Sequence, residues 1–416
     1  MEPCLFWQVY ILLKNIAVNC VKFTFLYNFA RHTLMLYGAK FNYRSILRKV
    51  NIIEKIMKSL KIGNLLAKVP IVQGGMGVGI SLSGLASAVA NAGGVGVISS
   101  AGLGVIYRDY SNDYNKASIH GLKEELRKAR EKTKGIIGVN IMVALTNFAD
   151  MVRTAIDEKA DIIFAGAGLP LNLPSYLKEG AKTKLAPIVS SARALKVICR
   201  RWIGEYGYVP DAVVVEGPKA GGHLGYSNEQ LNDSQCTLES IVPEVVAAAR
   251  EIGAAHGREI PVIAGGGVYT GEDVLKMMVL GADGVQMGTR FVTTEECDAS
   301  EAFKQVYLDA KEEDIQIIQS PVGMPGRAIR NGFLDKVKEG LKKPMSCPFN
   351  CIKTCDVTNS PYCIMLALYN AFRGRMEHGY AFCGTNAWRS DKIVSVKELV
   401  LSIKKEFEDK IASMME

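Results

Sequence analysis

His223 is one of five histidines in this 416-residue chain, and it stands in the glycine-rich stretch EGPKAGGHLG, bracketed by Gly221, Gly222 and Gly225. An imidazole titrates near neutrality, so it can take or give a proton at ordinary pH. A loop histidine is more often inert than catalytic. The glycine setting singles this one out, and His32, His120, His256 and His378 lack it. Two further segments, AGGGVYTGED (264–273) and QMGTRF (286–291), have the composition of anion-binding turns. Consecutive glycines let backbone N–H groups converge on a phosphate, which a Cβ would obstruct. Gly265, Gly266 and Gly267 in the first and Gln286, Met287, Gly288 and Thr289 in the second are the candidate contacts. Tight strand-to-helix turns with nothing bound are the blander reading.

Four cysteines, Cys347, Cys351, Cys355 and Cys363, follow C-x3-C-x3-C-x7-C, and Cys383 lies twenty residues on. Thiols this dense invite a metal or Fe–S reading. The spacing matches neither the C-x2-C of zinc knuckles nor the ferredoxin run, so buried structural thiols are favoured and no metal is assigned. Pro348 and Pro361 keep the segment from being one helix. Arg327 and Arg330, in GMPGRAIRNG, are either anion ligands or surface charges.

The elements that would position these residues are short apolar runs alternating with amphipathic stretches. The runs are VPIVQGG (69–75), VGVISS (95–100), IIGVNIM (136–142), IIFAGAG (162–168), LAPIVSS (185–191), AVVVEG (212–217), PVIAGGG (261–267) and GVQMGTRF (284–291). Each is continuous, as strands covered on both faces are. Between them, Leu122–Lys134, Leu238–His256 and Glu272–Leu280 read as helices. Eight β-then-α units over about 220 residues predict an α/β fold of the (β/α)8 TIM-barrel type, in preference to an open doubly wound sheet. Most runs end in Gly, Ser or Asn. Small residues at the C-terminal strand ends, the active face of such a barrel, let a planar cofactor lie against the backbone.

Together VPIVQGGMGV, GVNIM, VEGPKAGGHLG, PVIAGGGV and GVQMGTRF resemble the nitronate monooxygenase (2-nitropropane dioxygenase) family and its close relative, the flavin-dependent enoyl-ACP reductase II. The likeness runs from about Val69 to Val292, with a weaker tail through RAIRN and GTNAWR (384–389). It implies FMN at the C-terminal face of the barrel. Gly74, Gly75 and Met76 would lie against the ring, Asn140 would hydrogen-bond it, and Gly221 with Gly222 would bring the chain close. The two glycine turns would grip the phosphate, and His223 would be the acid/base over the flavin. The implied activity is oxidation of alkyl nitronates by O2 to a carbonyl compound and nitrite. The alternative is NAD(P)H-dependent reduction of the C=C bond of an enoyl thioester. Glu216 departs from the glutamine of many nitronate oxidisers and leans toward the reductases, since a carboxylate repels a substrate anion. A bond to a backbone N–H or to Lys219 would instead take it out of play. A flavin-free binding protein on the same barrel is the third reading, and the glycine strand ends argue against it.

Composition narrows the rest. Residues 1–56 carry eight Lys/Arg against two Glu, six of the eight net positive charges, so no basic face for nucleic acid remains in the other 360 residues. This stretch reads as an N-terminal extension outside the fold, with Met57 as the working start. Its apolar run CLFWQVYILL is too short to span a bilayer, which leaves at most a weak anchor. The expected organisation is a barrel from 57–314 and 384–416, with 315–383 as a cysteine-bearing lid. Reduced thiols fit a cytoplasmic enzyme acting on small molecules, with a homodimer left open.

Overall fold

The computed structural model describes residues 57–344 and 346–414, so the readings for residues 1–56 lie outside the described residues. All eight apolar runs form strands: β1 (Ile71–Gln73), β2 (Val95–Ser99), β3 (Ile136–Met142), β4 (Ile162–Gly166), β5 (Lys184–Val189), β6 (Val213–Glu216), β7 (Val262–Gly265) and β8 (Gly284–Met287). Every neighbouring pair is parallel, and β8 returns to β1 with Gln286 opposite Val72, which closes the barrel. An open sheet is thereby excluded.

The continuous hydrophobicity has its reason in this closure. Val72, Val97, Phe164, Ala186, Val214 and Ile263 fill the barrel, while alternate residues face the helices. A hairpin of Leu60–Ile62 with Leu65–Ala67 places Leu60 and Ile62 in the same core. It plugs the end of the barrel away from the strand C-termini and leaves only the other end open.

The longer helices between the strands are α1 (Ser83–Asn91), α2 (Tyr114–Lys132), α3 (Phe148–Asp157), α4 (Ala192–Tyr206), α5 (Leu238–Ala255) and α6 (Gly271–Val279). Their starts are written locally. Asp113 accepts from the N–H groups of Asn115 and Lys116, and Thr237 and Thr270 cap α5 and α6. Only a 3-10 turn, Leu173–Tyr176, follows β4.

The eighth helical position is filled late in the chain. After β8 come α7 (Glu301–Asp309), the antiparallel hairpin β9 (Ile315–Gln319) and β10 (Pro325–Ile329), and α8 (Ile364–Phe372). Only then does α9 (Val396–Met414) pack against α6 and α1. Glu406 Oε2 accepts from Gly271 N–H at 2.7 Å and ties α9 to the start of α6. The excursion between β8 and α9 shares one apolar core with the barrel's mouth. Val78, Val105 and Leu145 from barrel loops pack with Phe333, Ile352, Tyr362, Ile364 and Tyr380. Among the described residues no helix is long and apolar enough to cross a membrane.

Candidate active site

A cavity opens at the C-terminal ends of the strands. Gly74, Gly75 and Met76 line it after β1, Glu216 at the end of β6, Gly221, Gly222 and His223 in the next loop, Gly266 and Gly267 after β7, and Gln286, Met287, Gly288 and Thr289 at β8. Two expected contacts stand one layer behind. A Cβ on Gly75 would fall 2.2 Å from the Asn140 Cβ, so only glycine lets β1 pass over β3. Asn140 Nδ2 lies 3.5 Å from the Phe164 carbonyl. Gly265 backs onto the Gln286 side chain.

The end near β7 and β8 has the chemistry of an anion site. Gly266 and Gly267 take φ of 99° and 90°. Residues from the far C-terminal part complete it. Gly384 N–H donates to Thr289 Oγ1 at 2.9 Å, Asn386 Nδ2 to the Gly267 carbonyl at 2.7 Å, and Thr385 N–H to the Lys219 carbonyl at 3.2 Å. Thr385 Oγ1 is buried with no hydrogen-bond partner among the described residues. A buried hydroxyl left unpaired costs about 1–3 kcal/mol, and a phosphate oxygen beside it removes that cost. Lys219 supplies a cation in the same cavity. The glycine floor, the orphan hydroxyl and the lysine fit a phosphorylated planar cofactor.

His223 is held from three sides. Gly222–His223 adds as a short third strand to β10, with His223 opposite Gly326. Its Nε2 lies 2.8 Å from Ser320 Oγ, and its ring meets Phe382 edge-on at 5.0 Å. Burial lowers its pKa to about 4, so the imidazole is neutral at physiological pH. Arg327 proves to be neither an anion ligand nor a surface charge: it is buried, and its Nη1 donates to the Pro218 and Ala220 carbonyls, bracing the loop that carries His223. Arg330 is exposed and pairs with Asp335. Arg327→Met should leave two buried carbonyls unpaired at about 1–3 kcal/mol each. The expected result is a clearly lower Tm and weaker turnover in a chain that still folds; an unchanged melting curve refutes the brace.

Glu216 turns its carboxyl to the cavity, and only its main-chain carbonyl is tied down, by Tyr226 Oη at 2.6 Å. Among the described residues no donor reaches the carboxyl, so neither Lys219 nor a backbone N–H neutralises it. Burial pushes its pKa up to about 7. Sequence reasoning passed over Lys219, Ser320, Tyr269 and Phe382 as site residues. GTN (384–386) was noticed as a motif, but nothing local placed it beside Thr289, some hundred residues earlier.

The cysteines divide. Cys383 is buried and lines the cavity. Cys351 is buried, with Cys355 and Cys363 packed against the same apolar core over the mouth. Among the described residues no three His, Cys, Asp or Glu side chains gather tightly enough for a single metal ion.

An eight-stranded parallel barrel whose sealed end is apolar, and whose open end combines a glycine phosphate cradle with a neutral histidine, is the framework of a flavin-dependent barrel oxidoreductase. The nitronate monooxygenase family model matches residues 58–406, and the chain belongs to that family. A probable nitronate monooxygenase of Staphylococcus saprophyticus is 28% identical over 301 residues, covering 67% of this chain and 80% of that one. A (3aS,4S,5R,7aS)-5-hydroxy-7a-methyl-1-oxo-octahydro-1H-indene-4-carboxyl-CoA dehydrogenase of Mycobacterium tuberculosis is 29% identical over 273 residues, 66% of each chain. Among solved structures, FabK from Thermotoga maritima superposes with a TM-score of 0.64 at 27% identity, over 88% of this chain and 98% of that one.

Proposed function

We propose that the cavity binds FMN and that the enzyme oxidises alkyl nitronates with O2 to carbonyl compounds and nitrite. The observation that carries this reading is that a neutral imidazole and a carboxyl whose pKa burial raises to about 7 face one glycine-floored cavity. Gly266, Gly267, Thr289 and Thr385 would hold the phosphate, with Lys219 countering its charge, and Gly74 to Met76 would underlie the ring. When bound, the flavin supplies an electron acceptor for the substrate and a route for those electrons to dioxygen. His223 takes the α-proton of a neutral nitroalkane at its free Nδ1, while Nε2 carries the ring's other proton and donates it to Ser320 Oγ throughout. Glu216, protonated below pH about 7, presents an O–H rather than a negative charge to the nitronate oxygens. Phe382 and the lid residues Ile352, Ile364 and Met365 keep water from the reacting carbon. A cytoplasmic location and the lid role of 315–383 belong to the same reading.

The charge on Glu216 makes a direct test. As pH rises through about 7 the carboxyl ionises, and KM for a preformed nitronate should climb by up to about tenfold per pH unit above it. Glu216→Gln should flatten that rise. A variant with the wild-type pH profile assigns the ionisation elsewhere.

A second reading, NAD(P)H-dependent reduction of an enoyl thioester, draws on the likeness to FabK and to an enzyme of a CoA thioester. Anaerobic mixing separates the two: rapid flavin bleaching by NADH alone supports the reductase, and bleaching only by nitronate supports the oxidase.

A further inference from the structure

Among the described residues, three charged side chains line the catalytic cavity, Glu216, Lys219 and His223, and all three come from the end of β6 and the loop after it. Another wall carries no charge. It is built by Val78 after β1, Leu145 after β3, Ile352 of the lid, and Ile364, Met365 and Leu368 of α8. The first five are buried in one apolar cluster, and Leu368 packs against it half-buried. Ile364 and Leu368 stand one turn apart and so share a face of α8, while Leu366 is 38% exposed. Glycines let α8 press on the barrel mouth at two points. A Cβ on Gly79, in the β1 loop, would fall 2.7 Å from the ring of Phe372 at the end of α8. One on Gly379 would fall 2.0 Å from the Ala367 carbonyl oxygen in the middle of the helix. Neither position can carry a side chain without pushing α8 away, so the apolar wall has a fixed place.

A pocket wall of this kind selects its ligand by what it lacks. An aliphatic group leaves water for apolar contact there, whereas a carboxylate or phosphate loses its hydration and meets no donor in return. The one lysine in the cavity is already set against the cofactor phosphate. We propose, resting on the nitronate reading above, that this wall binds an aliphatic chain carried on the substrate's α-carbon, so that the enzyme takes longer 1-nitroalkanes and rejects nitro acids. His223 and Glu216 hold the nitro end, and the chain lies along the Ile364–Leu368 face of α8. That face is about 6 Å long at 1.5 Å per residue, which about four or five C–C bonds of an extended chain span. Leu368, less buried than Ile364 and Met365, stands where the chain end emerges and sets the length that is recognised.

The test compares kcat/KM of the flavin-loaded full chain for 1-nitroalkanes from nitroethane to 1-nitrooctane. The value should rise by about fourfold per added methylene, or about 0.8 kcal/mol, and level off at about six or seven carbons. 3-Nitropropanoate, with a carboxylate in place of the terminal ethyl group of 1-nitrobutane, should be at least about 100-fold poorer than 1-nitrobutane. Leu368→Trp should erase most of the rise beyond 1-nitrobutane, and Leu368→Ala should reduce it several-fold. A flat series overturns the proposal and leaves the oxidase reading standing. So does 3-nitropropanoate turned over as well as 1-nitrobutane, which would make Lys219 the reader of a substrate carboxylate. A wild-type chain-length profile in both Leu368 variants overturns the assignment to α8. Should no nitroalkane be turned over, the oxidase reading falls, and calorimetry with 1-alkanols decides the apolar wall by itself. Kd should then still fall by about fourfold per methylene from 1-butanol to 1-hexanol and rise in Leu368→Trp, whereas equal Kd values along the series overturn the wall as a chain site.

Discussion

His223→Ala is expected to remain yellow and to lose about 10²–10⁴-fold in kcat/KM for a neutral nitroalkane, the usual contribution of a positioned general base. The same variant should lose far less, under about tenfold, when the substrate is supplied as the nitronate, because its proton has already gone. That contrast separates a base from a residue that only shapes the pocket. The pH dependence is equally specific. Burial lowers the His223 pKa to about 4, so the base form persists through the whole neutral range. The acid limb of wild-type kcat/KM for the nitroalkane should therefore fall only toward pH 4, whereas an unperturbed imidazole would place that limb near 6.5. Stability follows with its own sign. The unfolded chain takes up the proton as pH falls through about 6.5 and the folded chain resists until about 4, so stability declines across that window. Glu216 acts in the opposite sense: the fold retains its proton up to pH about 7, and the stability this lends is present below the unfolded value and lost as pH rises through 7. Loss of flavin together with turnover in His223→Ala would instead make the residue a cofactor contact.

The two pKa values also bear on whether Glu216 excludes a nitronate. A carboxylate at the end of β6 argues against an anionic substrate from the sequence alone. In the folded protein the objection weakens, because no cation or N–H among the described residues stabilises the charged form and burial keeps the proton on. Below pH about 7 the apparent mismatch is a hydrogen-bond donor. This could not be read locally, since it depends on what surrounds β6.

The barrel itself was legible because a parallel strand buried on both faces has to be a continuous apolar run, and seven of the eight runs contain a strand whole while LAPIVSS misses only Lys184 of β5. The cavity was legible for the related reason that glycines are needed where chains cross closely or where φ is positive, as at Gly75 and Gly266. What escaped was everything set by long separation. Ser320 meets His223 across 97 residues, Arg327 holds carbonyls more than a hundred residues away, and Gly384 donates to Thr289 from the far side of the excursion. None of these has a period or a composition. The segment 384–416 was read as part of the barrel, but not where it docks: α9 sits on the start of α6, where the main chain at Ile403 and Phe407 comes so close to Gly271 that no Cβ would fit.

Gly266→Ala tests the phosphate cradle with the largest expected effect on cofactor binding. The residue has φ of 99°, where a Cβ is strained by about 1–2 kcal/mol. The added carbon would also stand 2.8 Å from the Gly217 carbonyl oxygen and 3.0 Å from its nitrogen. Those atoms are main chain and cannot rotate aside. Gly217 is fixed in turn by its N–H bond to the Gly265 carbonyl at 2.8 Å, and Arg327 holds the residues that follow it. The β7 turn must therefore move, and its N–H groups no longer converge. FMN affinity is expected to fall by at least about 100-fold, or about 2.7 kcal/mol, measured by fluorescence quenching on apoprotein. Gly180→Ala is the matched control. It carries the same kind of positive φ, 77°, with nothing within 4 Å of the added carbon, so it should cost some stability and leave the flavin affinity where it was. A folded Gly266→Ala protein that binds FMN as tightly as the Gly180→Ala control would show that the phosphate lies elsewhere, because the cradle cannot keep its shape around that methyl group.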